Sequence, residues 1–286
     1  MHKQYICING GMMPSAEPSL YHNNRAFCYG DALFETIHAN GTALQLFAYH
    51  YKRLMNGMDL LGMDKKSLPS KDKLESDIIR LLNKNHLYSG VRVRLSVFRN
   101  YGGFYTPADN SVSYLAETTP LPAGLYELNE KGFKTGTYDE MKKQPSALAN
   151  MKTANSILYI RAGMFAREKG LDDCLIKNTT GNLAETTSSN IFIIRNGNLY
   201  TPSLEQGCVA GVMRAHIIML ARREGIECFE TSVTENDLLE ADECFLTNAV
   251  SGLQWVIAFG NRRYYNKTAK MMTGLLNKDL FDRFSR

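Results

Sequence analysis

The chain has 286 residues, about twice the ~150 expected of one domain, so one large or two medium domains with a self-sufficient core are expected. A composition of 44% hydrophobic, 22% charged and 10% aromatic residues excludes disordered, collagenous and low-complexity classes. The net charge of +4, from 33 basic and 29 acidic residues, is too small and dispersed to imply nucleic acid or a membrane surface, and points to a small-molecule partner.

In chain order, Tyr5-Ile6-Cys7-Ile8, the turn residues Asn9-Gly10-Gly11 and Met12-Met13 before Pro14 predict a β-hairpin. A loop rich in Asn and Tyr leads to Gly30-Asp31-Ala32-Leu33-Phe34-Glu35-Thr36-Ile37, a strand followed by the turn Asn40-Gly41. The period then changes. Leu54, Met58 and Leu61 recur at i, i+4 and i+7 ahead of Gly62, which predicts an amphipathic helix over 48–61. A second helix over about 71–85 carries Leu74, Ile78, Leu81 and Leu82 on one face. Val91, Val93, Leu95 and Val97 alternate with Arg92, Arg94 and Ser96, the pattern of a strand over 91–99 with one polar face.

Two prolines and a glycine in Thr118-Thr119-Pro120-Leu121-Pro122-Ala123-Gly124 mark the best boundary, giving a domain over 1–118, a linker over 119–124 and a larger domain over 125–286. Past it, a hairpin over about 125–138 leads to Ala149-Asn150-Met151-Lys152 and a helix carrying Ile157, Ile160 and Met164 at i, i+3 and i+7, ended by Gly170. Strands are predicted at 174–177 and 189–195, the second joined to Asn198–Tyr200 by Asn196-Gly197. A helix over about 211–224 turns Met213, Ile217, Leu220 and Ala221 inward, and Thr234-Glu235-Asn236-Asp237 resembles a capping box. Strands at 243–247 and 253–259 and a helix from about 267 complete the chain. Strands outnumber helices and are not strictly interleaved with them, so two α+β domains fit better than one doubly wound sheet.

Cys7, Cys28, Cys174, Cys208, Cys228 and Cys244 include no CxxC pair, and the start of the chain has no apolar signal-like run. No stretch approaches the ~18 apolar residues of a membrane span. The thiols therefore read as reduced cysteines of a cytoplasmic protein. No GxGxxG after a strand, phosphate loop, HExxH or GxSxG occurs, the histidines are scattered, and no metal site is expected. What remains are charges at element ends: Lys152 in a small, neutral stretch, Glu185 before a polar loop, and Arg53 beside an apolar helix face. Taken singly, these read as a solvated charge, a loop residue and a snorkelling or paired arginine.

Together, the segments resemble the class IV (fold-type IV) pyridoxal-phosphate enzymes: branched-chain aminotransferases, D-amino acid aminotransferases and aminodeoxychorismate lyase. The resemblance covers nearly the whole chain. It runs through Arg25 to Gly30-Asp31-Ala32-Leu33-Phe34-Glu35, His50-Tyr51-Lys52-Arg53-Leu54, Lys152-Thr153-Ala154-Asn155, Glu185 with Asn190-Ile191-Phe192, Gly211-Val212-Met213-Arg214, and Phe245-Leu246-Thr247-Asn248-Ala249. It implies an α+β fold, with a smaller N-terminal α/β domain and a larger C-terminal domain with a β-barrel-like core. It implies a homodimer that uses pyridoxal 5′-phosphate on an amino acid and a 2-oxo acid.

By the same resemblance, Lys152 is the lysine that forms a Schiff base with the cofactor and shuttles the α-proton, a task suited to an amine that is nucleophilic when neutral. Glu185 keeps the pyridine nitrogen protonated. Arg53 binds the phosphate, helped by the amides of Val212 and Met213 behind Gly211. Asn190, Asn248 and Ala249 complete the cofactor site, while Tyr29, Phe34, Arg94, Ala249 and Val250 face the substrate. Two activities stay open. Arg94 matches a substrate-facing arginine of aminotransferases, whereas Arg99-Asn100-Tyr101-Gly102-Gly103 is similar to the lyase's glycine turn, with Phe104 where the lyase has a further arginine. Ile157 stands where branched-chain members place a tyrosine. An amino-acid aminotransferase leads, aminodeoxychorismate lyase is the alternative, and a non-catalytic pyridoxal-phosphate-binding protein is the third reading.

Overall fold

In the computed structural model, which describes residues 4–17 and 20–281, the alternating segments form strands and the 3.6-period segments form helices. The chain divides into two units, Met1–Gly124 with Met151–Asn155, and Leu125–Asn150 with Ser156–Arg286.

The first unit contains β1 (Tyr5–Ile8), β2 (Gly11–Pro14), α1 (Arg25–Tyr29), β3 (Ala32–Asn40), β4 (Ala43–Leu44), α2 (Phe47–Leu60), α3 (Lys71–Lys84), β5 (Val91–Arg99) and β6 (Val112–Pro120). Its strands form an antiparallel sheet in the order β2-β1-β6-β5-β3-β4. Val91, Val93, Leu95 and Val97 share one core with Leu54 and Met58 of α2 and Leu74, Ile78, Leu81 and Leu82 of α3. The other side of β5 carries Arg92, Arg94 and Ser96, only partly buried. The stretch expected as a linker over 119–124 begins inside β6, because Pro120 sits opposite Val91 at the strand's end, where a missing N–H is tolerated.

Residues 151–155, expected with the second domain, belong to the first unit. Phe34 N–H donates to Lys152 O at 2.9 Å and Ala154 N–H to Ala32 O at 2.9 Å, so the segment lies antiparallel along the start of β3, with Leu33 opposite Thr153.

The second unit contains β7 (Phe133–Lys143), α4 (Ile157–Glu168), β8 (Asp173–Asn178), β9 (Leu183–Thr186), β10 (Asn190–Arg195), β11 (Asn198–Pro202), α5 (Val212–Arg223), β12 (Cys228–Thr231), α6 (Glu235–Glu240), β13 (Glu243–Asn248), β14 (Gly252–Phe259), β15 (Arg262–Arg263) and α7 (Lys267–Phe281). The sheet order is β12-β11-β10-β13-β14-β7-β8-β9, with β15 on β14. It curls so that β9 returns beside β10, and Thr186 N–H donates to Ser189 O at 2.8 Å across the tight connection. Leu175, Leu183, Ile191, Ile193, Leu246 and Val256 fill the inside of the curl. Met213, Ile217, Leu220 and Ala221 of α5 are buried as their spacing predicts, and the Thr234–Asp237 capping box opens α6.

Two expectations for this unit change. The hairpin over 125–138 is replaced by the single strand β7, parallel to both β8 and β14. Residues before it are held by side chains instead: Asn129 Oδ1 accepts from Trp255 N–H at 2.8 Å, and Asn277 Oδ1 accepts from Tyr126 N–H at 3.0 Å. In α4, Ile157, Ile160 and Met164 are exposed, while Ala162 and Ala166, with Leu158 and Phe165, pack on Tyr138, Cys174 and Ile176. The helix has two apolar faces, and the small residues are on the covered one.

Candidate functional site

Each unit gathers part of the set singled out in the sequence. In the first, pairing with β3 holds Lys152 beside Phe34, its Nζ 4.5 Å from the centre of that ring. The Arg94 guanidinium lies 4.0 Å from the centre of the same ring. This follows from register: Thr36 lies opposite Arg94 and Phe34 opposite Ser96, so Phe34 and Arg94 are diagonal neighbours on one face of the sheet. Glu117, across from Arg94 on β6, approaches it at 4.0 Å. Burial, then the neighbouring Arg92, lower the Arg94 pKa against the pull of Glu117. The result is an amine and a guanidinium on one aromatic ring.

Arg53 is anchored by Glu35. Its Nε donates to Oε1 at 2.9 Å and its Nη2 donates to Oε2, a fork between a buried carboxylate and a guanidinium that keeps 9% of its side-chain surface exposed. His50, three residues earlier on α2, places Nδ1 2.6 Å from the same carboxylate. Burial raises the Glu35 carboxyl, but Arg53 and His50 overcome it and hold the group at about 2. Burial pushes His50 the other way, below its ordinary value, helped by Arg53 and Lys152. A neutral His50 therefore donates from Nδ1 to Glu35, and its buried Nε2 is left as an acceptor with no hydrogen-bond partner. Glu35 and His50 were visible only as letters of a motif; their coupling to Arg53 depends on α2 packing against β3.

Tyr29 sits at the end of α1 with its ring centre 5.7 Å from that of Tyr105. Arg25 shapes this corner: Nε donates to Asp31 at 2.8 Å and Nη1 to the carbonyls of Gly102 at 3.1 Å and Phe104 at 2.6 Å. Gly103 at φ 71° is required by the turn, because a Cβ there would lie 2.1 Å from Thr106 O. Phe27, Tyr101, Phe104 and Tyr105 are left exposed.

In the second unit, Glu185 of β9 is 3% exposed and its carboxylate is surrounded by donors. Lys143 Nζ and the Tyr159 hydroxyl, the latter at 2.7 Å, donate to Oε1, and Val209 N–H donates to Oε2 at 2.9 Å. Burial and the nearby carboxylate push the Tyr159 phenol far above its ordinary value, so it is a donor. Neither Lys143 nor Tyr159 was singled out in the sequence. Lys143 is the second of two lysines at the end of a strand, 42 residues from its partner, and no local pattern marks it.

Asn190, at the start of β10, donates from Nδ2 to Val209 O at 2.9 Å, which binds the strand to the turn before α5. Gly211 caps α5 with no side-chain hydrogen bond, so the first-turn amides of Val212 and Met213 point at whatever lies beyond the helix end. A Cβ on Gly211 would fall 1.9 Å from Asn190 Oδ1. Asn248 is tied to the same region: its Nδ2 donates to Ser189 Oγ at 3.0 Å, and its Oδ1 accepts from Val250 N–H at 2.9 Å. Tyr126 fixes the next residue, donating its hydroxyl to Ala249 O at 2.9 Å. Ile157 is exposed and does not join either group.

Among the described residues no helix is long and apolar enough to cross a membrane. The amino-transferase class IV family matches residues 32–259. A Methanocaldococcus jannaschii protein assigned as a branched-chain-amino-acid aminotransferase is 28% identical over 98% of this chain and 94% of its own length. The aminodeoxychorismate lyase of Vibrio harveyi is 26% identical over 80% of this chain and 83% of its own. Among solved structures, the branched-chain amino acid aminotransferase of Thermobaculum terrenum in its pyridoxal-phosphate form superposes with a TM-score of 0.87 at 21% identity, covering 98% of this chain and 95% of that one. With the family match spanning most of its length, the chain belongs to the class IV aminotransferases, and its fold is theirs.

Proposed function

We propose that the protein transfers an amino group between an amino acid and a 2-oxo acid, with pyridoxal phosphate held by Lys152. The observation that carries this reading is the shared placement of Lys152 and Arg94 on Phe34: an amine beside a cation suited to a substrate carboxylate.

The donor set fits the cofactor. A buried carboxylate, Glu185, suits a ring nitrogen that must keep its proton. The start of α5, closed to any side chain at Gly211, suits a phosphate. The bound cofactor supplies a sink for the electrons released when the substrate's Cα–H bond breaks. Lys152 would hold the cofactor's carbonyl carbon through Nζ and, once a substrate amine has displaced it there, its freed amine would carry the proton to and from substrate Cα. Glu185 holds the proton on the ring nitrogen. Arg53, oriented by Glu35, and the amides of Val212 and Met213 hold the phosphate, with Asn190 and Asn248 fixing the turns around it. Arg94 binds a substrate carboxylate, with Tyr29, Ala249 and Val250 bordering the side chain.

A homodimer is part of the proposal. Its support is the apolar stripe Ile157, Ile160 and Met164 on α4 and, in the other unit, the exposed aromatics Phe27, Tyr101, Phe104 and Tyr105. Six free cysteines fit a cytoplasmic setting.

The test is borohydride reduction of the protein with pyridoxal phosphate, followed by peptide mapping. A pyridoxyl group on Lys152, absent from Lys152→Ala, is expected; a different lysine or none overturns the reading. Amino acids are then offered with 2-oxoglutarate. The competing reading, the lyase, draws on the Vibrio harveyi relative and the Arg99–Gly103 turn. Pyruvate release from aminodeoxychorismate without amino transfer would establish it instead.

A further inference from the structure

Glu185 is not a bare anion. Its Oε1 already accepts from Lys143 Nζ and from Tyr159 at 2.7 Å, and its Oε2 accepts from Val209 N–H. Lys143 is itself built in. Its side chain is 8% exposed, its Nζ also donates to Ala149 O at 3.0 Å, and it lies 5.3 Å from the centre of the Tyr159 ring. Burial pushes the Cys208 thiol up to about 11, and Arg214 is matched by Glu230 at 3.0 Å. One carboxylate and one ammonium thus form a closed, neutral pair before any ring cation arrives.

We propose that Lys143 is a positioning residue that shares the Glu185 carboxylate with the cofactor's ring nitrogen and so limits the negative charge that nitrogen meets. The inference rests on the reading of Glu185 as the ring-nitrogen partner. A carboxylate has acceptor sites for about four donors, so Oε2 keeps capacity beyond Val209. In a site of low effective dielectric, the Lys143 ammonium offsets the attraction of Glu185 for a second cation. It also gives the buried Glu185 a counter-ion when no ring cation is present. Without Lys143, a ring cation becomes the only compensation for Glu185. Dependence on the ring nitrogen should then rise.

The test compares binding of pyridoxal phosphate and of its 1-deaza analogue, in which a carbon replaces the ring nitrogen, to the full-length cofactor-free protein. Wild type, Lys143→Met and Lys143→Arg are titrated with both compounds. The expected result is a ratio of dissociation constants, deaza over natural, that grows by about tenfold in Lys143→Met, the order of one charge interaction in a partly buried site. The ratio should return to the wild-type value in Lys143→Arg. A merely structural lysine would weaken both compounds equally, and an unchanged or smaller ratio overturns the proposal. If Lys143→Met does not fold, as judged by circular dichroism, Lys143→Gln carries the same prediction. Wild-type protein that binds neither compound, or is not labelled at Lys152, defeats the cofactor reading and this inference with it. Labelling at Lys152 with an unmoved ratio defeats the role of Lys143 alone.

Discussion

Glu35→Gln removes the charge around which Arg53 and His50 are arranged, and its cost can be reached by two routes. Taking one partner from a buried ion pair costs about 3–5 kcal/mol, because the remaining guanidinium, only 9% exposed, loses its fork. Independently, the Glu35 carboxyl falls from an ordinary 4.5 to about 2 on folding, which at about 1.4 kcal/mol per pH unit gives about 3 kcal/mol. A carboxyl with a depressed folded value stabilises above its unfolded value and loses that contribution as pH falls from 4.5 toward about 2. His50 acts in a higher window. Burial keeps its imidazole neutral in the fold, so stability starts to fall as pH drops through 6.5, where the unfolded histidine takes up a proton. Urea denaturation of the full-length protein at pH 7, and at steps from pH 7 to 3, reads both. Glu35→Gln should lose about 3 kcal/mol at pH 7 and should flatten the acid limb below 4.5. A loss under about 1 kcal/mol, the level of an exposed pair, with an unchanged acid limb would refute the reasoning.

Gly211→Ala places a methyl group 1.9 Å from Asn190 Oδ1, so either Asn190 releases Val209 O or α5 shifts. Pyridoxal-phosphate affinity, followed by absorbance titration, should fall about tenfold or more, as for a lost charge-assisted contact. Arg94→Ala should raise KM for a dicarboxylate such as 2-oxoglutarate by about tenfold or more, with a smaller change in kcat, and Arg94→Lys should recover part of it. Paired Ile157→Ser and Ile160→Ser substitutions on the exposed face of α4 should shift sedimentation toward the monomer with little change in the circular dichroism of the subunit. A dimer that persists unchanged locates the interface elsewhere.

Features whose information is local are legible in the sequence, and those that depend on what lies across the chain are not. Alternation placed β5 and its two faces because a strand's period is set by its own pleat. The capping box of α6 was legible because both bonds close within four residues. In α4 the same kind of pattern misleads. Periodicity reveals that Ile157, Ile160 and Met164 share a face, but which face is covered is decided by Tyr138, Cys174 and Ile176 on neighbouring strands, which accept the smaller Ala162 and Ala166. Residues 125–138 show the converse failure: a hairpin is expected there, yet Asn129 pairs with the distant Trp255 backbone and the distant Asn277 with that of Tyr126. Motif positions behave likewise. Lys152, Glu185 and Arg53 are singled out by resemblance, whereas the side chains that pair with Glu185 and Arg53 are not. Lys143 and Glu185 become partners only because β7 and β8 run parallel and β9 turns back antiparallel to β8. Glu35 reaches Arg53 and His50 only because α2 folds back onto β3. A charged residue's effect at such a site is fixed by its counter-ion, and the counter-ion is a property of topology.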